Sequence, residues 1–154
     1  MRPAVRLTRR QDGGFRLDGV ADDAIEVAPR EAGFAVDAFD SGRVYWSAAE
    51  HGWVLVAGDD ARELGRTTAL ETERVSSPSS LLLSDGRLFR LAVAGASQPR
   101  IELGRWDVPG AYAIGRAESA GWVLERTPAG RLLEAGPELW ILMAAEIGRL
   151  DGWL

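Results

Sequence analysis

Cysteine is absent from the 154 residues, which excludes thiol nucleophiles, thiolate metal sites, disulfide staples and redox switches. Histidine occurs once, at His51, so no imidazole cluster can hold a metal. Lysine and asparagine are also missing, and all 18 basic residues are arginine. A G+C-rich bacterial genome accounts for that skew. The longest apolar run, residues 139–145, has seven residues. A membrane-spanning helix needs about 20, so no transmembrane segment is expected. No apolar run follows the N-terminal arginines, so no secretory signal is expected. The expected setting is the cytoplasm, or the periphery of a membrane.

Phosphate-cradling sequences are lacking too, with no Walker motif and no Gly-x-Gly-x-x-Gly after a strand. No nucleophile elbow appears, and His51 falls in the turn Glu50-His51-Gly52. Asp22-Asp23 and Gly58-Asp59-Asp60 lack the spaced acids of a calcium loop and read as solvated turns. No catalytic residue, metal or cofactor is assigned.

What is present is 46% apolar and 27% charged, the composition of one globular domain spanning residues 1–154. The net charge is −5. Residues 1–16 hold five arginines against one aspartate, a sum of +4, and the remainder carries −9. An acidic body argues against nucleic acid as a partner, because binding there needs a positive field. The basic end offers Arg6, Arg9, Arg10 and Arg16 as a contact set for an anionic lipid surface or a partner protein.

Turn signals recur about every ten residues, the rhythm of an all-β sandwich or barrel. Short runs that alternate or are apolar throughout lie between them, from Ala4-Val5-Arg6-Leu7 to Trp122-Val123-Leu124-Glu125. Leu132-Leu133 reads as one more, placing the strands within residues 4–135. Ser84-Asp85-Gly86-Arg87 predicts a hairpin whose two-residue type I′ turn is Asp85-Gly86. Asp40-Ser41-Gly42 predicts a three-residue loop with glycine in the left-handed position. The serine-rich stretch 76–80 reads as a loop, with the next strand starting at Leu81.

The last segment differs. Gly136-Pro137-Glu138 opens a helix over 137–150, with proline at its first position and Glu138 set against the dipole. Arg149 and Gly152 suit its other end. Nine of the 13 residues 138–150 are apolar. Projected at about 100° per residue, they cover well over half the circumference, where a surface helix shows only a stripe. Such a helix must be surrounded. The fold expected is mainly β, a closed antiparallel barrel of about twelve strands around this hydrophobic C-terminal helix. A barrel of that size is too wide for its own side chains to fill. Of six tryptophans, Trp53, Trp122 and Trp140 are expected in the core, with Trp106 and Trp153 exposed.

With the ending Gly136-Pro137-Glu138-Leu139-Trp140-Ile141-Leu142-Met143-Ala144-Ala145-Glu146-Ile147, the strand count and the Asp-Gly hairpins, the chain resembles the tubby C-terminal-like superfamily. That superfamily includes the LURP-one-related and scramblase-like proteins. The resemblance implies a twelve-stranded barrel around a hydrophobic helix, and phosphoinositide binding or membrane association. The tubby head-group site uses Lys and Arg on one barrel face. This chain has no lysine, and no binding residue carries over.

The function expected is a non-catalytic barrel that binds a partner protein or an anionic lipid surface. Two other readings stand beside it. One is a small hydrolase-type enzyme using Asp, Glu and Arg in a surface pocket. The other is an architectural homo-oligomer built on the surface near Trp106 or Trp153.

Overall fold

The computed structural model describes residues 4–69, 79–94, 100–106, 110–152 and 154. Trp153 and residues 76–78 lie outside them. The strands run β1 (Ala4–Arg9), β2 (Phe15–Asp18), β3 (Ile25–Arg30), β4 (Gly33–Val36), β5 (Gly42–Ser47) and β6 (Gly52–Ala57). They continue with β7 (Arg62–Ala69), β8 (Ser79–Leu83), β9 (Leu88–Ala94), β10 (Arg100–Arg105), β11 (Ala111–Glu118) and β12 (Gly121–Arg126). Two helices follow, α1 (Pro128–Arg131) and α2 (Pro137–Leu150).

Each strand pairs antiparallel with the next, and β1 closes the barrel on β12, with Ala4 opposite Glu125 and Thr8 opposite Gly121. Closure removes the free sheet edges that would otherwise template aggregation. Period-two alternation sets the two faces. On β1, Val5 and Leu7 are buried and Arg6 is exposed; on β2, Phe15 and Leu17 are buried and Arg16 is exposed.

The centre is filled by α2, whose 14 residues span about 21 Å along the barrel. All ten residues from Leu139 to Gly148 are buried, Glu146 among them. Strand and helix side chains make one continuous core, including Trp53, Trp122 and Trp140. The helix packs on β6, β7 and β8. At its end, Asp151 accepts a hydrogen bond from Trp122 Nε1 at 3.2 Å, and Gly152 takes a left-handed φ of 81°.

The structure adds one strand that alternation does not mark, and four local expectations change. Residues 62–69 carry no apolar alternation, yet they form β7. Its buried positions are Gly65 and Thr67, small because the helix comes close: a Cβ on Gly65 would lie 2.7 Å from Leu142 Cδ1. Leu132-Leu133 is not a strand. Thr127 caps Gly130 N–H and Pro128 starts the helical turn α1, leaving Leu132 84% exposed. β8 begins at Ser79, which faces inward and is buried, rather than at Leu81. The β8–β9 loop holds three residues, Ser84 to Gly86, between the paired Leu83 and Arg87. There only Gly86 is left-handed, because the Asp85 carboxylate accepts the Arg87 N–H and holds Asp85 out of the type I′ conformation. In the β4–β5 loop the left-handed residue is Ser41, not Gly42.

Candidate functional site

With α2 inside, functional chemistry falls to the outer wall and the two mouths. Three arginines of the basic set sit in a network with acids on the wall of β1, β2 and β3. Arg6 reaches Glu118 at 2.5 Å. Arg10 bonds Asp12 at 2.7 Å and Glu26 at 2.9 Å. Arg16 bonds Asp18 at 3.2 Å and meets Glu26 at 3.3 Å. Register accounts for part of the network: Arg16 lies opposite Glu26, whereas Arg6 lies opposite Asp18 and bonds Glu118 of β11. Hydrogen bonds to Asp12 and Asp18 push the Arg10 and Arg16 guanidinium pKa values above their ordinary range. Arg9 is placed apart, exposed at the rim on the inward-pointing register opposite Phe15. Arg6, Arg10 and Arg16 therefore share their surface with four carboxylates, a mixed rather than a basic field.

A second outer face is apolar. Leu82 on β8 is opposite Leu88 on β9, and both are about 40% exposed. Arg105 is opposite Phe89, so Trp106, just past the end of β10, continues this row, 41% exposed. The Arg90 guanidinium sits over the Trp106 ring, 6.0 Å from its centre. No carboxylate among the described residues pairs with Arg90. Arg66, opposite Leu82, borders the row and is bridged to Glu50 and Glu63.

The mouth where α2 begins holds a cavity of about 380 Å³ lined by Asp22, Arg126 and Trp140 among others. Arg126 stacks over Trp140 at 4.9 Å, and burial lowers its pKa. The opposite mouth, where α2 ends, is aromatic. Trp46 on β5 and Trp53 on β6 are register partners, with ring centres 5.5 Å apart at 80°. Phe34 on β4 lies 6.1 Å from Trp53 at 57°. Arg149 stacks on Trp46 at 5.4 Å and hydrogen-bonds the fully buried Glu146. Glu146 Oε2 and Trp53 Nε1 are buried without a hydrogen-bond partner among the described residues.

Sequence reasoning missed Trp46 and Phe34 as mouth residues. Their signal was present: in a meander, Trp46 and Trp53 flank one turn and must face each other. Asp22-Asp23 and His51 are exposed in turns. Among the described residues, no group of three or more His, Asp or Glu could hold a metal ion. No helix described is long and apolar enough to cross a membrane. Comparison of the chain with protein-family models, curated proteins and solved structures finds no match.

Proposed function

We propose that the chain is a non-catalytic binding barrel that engages a partner protein through the outer face of β8, β9 and β10. The observation that carries this reading is the exposed row Leu82, Leu88 and Trp106, with Arg90 held over Trp106. Tryptophan and arginine are residue types enriched at protein interfaces, and here they stand beside exposed aliphatics. The charge chemistry selects the partner segment: apolar side chains to cover the row, and a carboxylate to meet Arg90. Two observations favour a partner protein over an anionic bilayer. Arg6, Arg10 and Arg16 are already neutralised by acids, and the whole chain carries −5. The non-catalytic part of the reading is supported by α2, which occupies the space where a barrel enzyme would hold substrate. Kinship with the tubby-like barrels is part of the same proposal, supported by the twelve strands around one helix.

The test is selection of a displayed library of random twelve-residue peptides on the intact protein. The expected winners combine aromatic or aliphatic residues with Asp or Glu. Leu88→Ser and Arg90→Ser should each weaken them roughly tenfold, the effect of losing an interface anchor. Winners indifferent to both substitutions, or no winners, would overturn the reading. So would flotation of the protein with anionic vesicles at low salt that is lost at high salt, which points to lipid instead.

A further inference from the structure

The aromatic mouth at the end of α2 is separate from the outer row and carries its own chemistry. A cavity of about 380 Å³ opens there, lined by Ala32, Gly33, Phe34, Tyr45, Trp46 and Trp53. Four of its six lining residues are aromatic. The rings stand at steep angles to one another, 80° for Trp46 against Trp53 and 57° for Phe34 against Trp53. Rings so disposed enclose a guest on several sides instead of offering one flat platform. At about 30 Å³ for a water-sized group, the space takes roughly a dozen such groups.

Two kinds of guest suit aromatic walls. A sugar needs flat stacking faces and several hydrogen-bonding side chains for its hydroxyls; this lining offers the Tyr45 hydroxyl and the indole N–H groups of Trp46 and Trp53, and no carboxylate, amide or guanidinium. A cation needs ring faces, whose quadrupole is negative, and little else. The same rings already attract cations: Arg149 stacks on Trp46 at 5.4 Å and Arg43 on Tyr45 at 5.2 Å. Neither guanidinium lines the cavity. The charge of Arg149 is matched by Glu146, which is fully buried and keeps one carboxylate oxygen without a hydrogen-bond partner among the described residues. Arg43 and Arg149 against Glu146 leave one positive charge beside the rings, so the attraction for a cation comes from the ring faces, in a chain of net charge −5.

We propose that this mouth is a binding site for a small organic cation bearing a methylated ammonium group, held by Phe34, Tyr45, Trp46 and Trp53. A methylated ammonium fits better than a bare one: its charge is spread over methyl groups that lose little on leaving water and pack against ring carbons.

The experiment is an NMR titration of the uniformly ¹⁵N-labelled full chain, reading the indole N–H signals of Trp46 and Trp53, assigned by Trp→Phe substitution. The probes are tetramethylammonium chloride, its neutral near-isostere 2-methyl-2-propanol, sodium chloride and methyl glucoside. Saturable shifts at these two indoles are expected with tetramethylammonium, about fivefold or more tighter than with the neutral alcohol. Trp46→Ala should weaken the site at least fivefold. Trp46 is 40% exposed, so the variant should stay folded, which its remaining spectrum verifies. The conservative Trp46→Phe should keep part of the binding. Equal binding of cation and alcohol, response to sodium chloride alone, preference for the glucoside, or no saturable shift would each overturn the proposal. Arg90→Ser should leave the titration unchanged, which separates it from the partner-protein reading.

Discussion

Gly65 and Leu142 offer a quantitative probe of how the helix meets the wall. A methyl added at Gly65 falls 2.7 Å from Leu142 Cδ1, 3.0 Å from the Leu82 carbonyl oxygen and 3.3 Å from Leu83 Cδ2. Gly65→Ala therefore overpacks the contact and should cost about 1–3 kcal/mol. Leu142 is fully buried, so Leu142→Ala opens a cavity and should cost about 3 kcal/mol, within the range of such truncations. Combined, the new methyl enters the space that the leucine vacated. The double variant should then be more stable than the sum of the two losses by about 1–2 kcal/mol. The Leu82 carbonyl still crowds the methyl at 3.0 Å, which keeps the relief incomplete. Urea unfolding followed by tryptophan fluorescence, with an unchanged dependence on denaturant, supplies the four free energies. Additivity within about 0.3 kcal/mol would refute the contact, because independent sites behave that way.

Arg149→Met should destabilise by about 3 kcal/mol, the low end for a broken buried pair because Arg149 is partly wetted. Adding Glu146→Gln should recover much of that loss in the same urea assay, since no uncompensated charge is left inside. Acid should also weaken the fold in a defined direction. A hydrogen bond from the Gly14 N–H lowers the Asp12 pKa, and one from the Arg87 N–H lowers that of Asp85, with arginine contacts adding to both. A depressed folded-state value gives stability that is fully present above the unfolded value, about 3.9, and lost as pH falls through the folded one. Unfolding free energy should therefore drop below about pH 4, and Asp85→Asn should flatten that drop; an unchanged slope would contradict it.

The helix was legible because nine apolar residues cannot be hidden on one side of a surface helix, and its bounds follow from Pro137 and Gly152. Strands such as β1 and β2 were legible from alternation alone. β7 was not: the helix leaves room there only for Gly65 and Thr67, so this strand, one of the three on which the helix packs, lacks the apolar signal. Turn geometry was legible in place but not in type, since at Asp85 a side-chain hydrogen bond outweighs the Asp-Gly preference. The basic set was visible as a cluster in the sequence. Two of its acids, Asp12 and Asp18, stand two residues from Arg10 and Arg16; the other two, Glu26 and Glu118, are distant in sequence, and only the closed sheet brings them beside the arginines. The aromatic mouth needed three consecutive strands in register before Phe34, Trp46 and Trp53 met.

Native-state hydrogen exchange of the backbone amides of residues 140–148 tests enclosure of the helix most directly. A helix ringed by twelve hydrogen-bonded strands can exchange only when the barrel opens. Their exchange free energies should therefore equal the global unfolding free energy and fall with urea at the same slope. Exchange several kcal/mol below the global value and insensitive to urea would mean that the helix leaves the wall intact when it exchanges, and would contradict its burial at the centre.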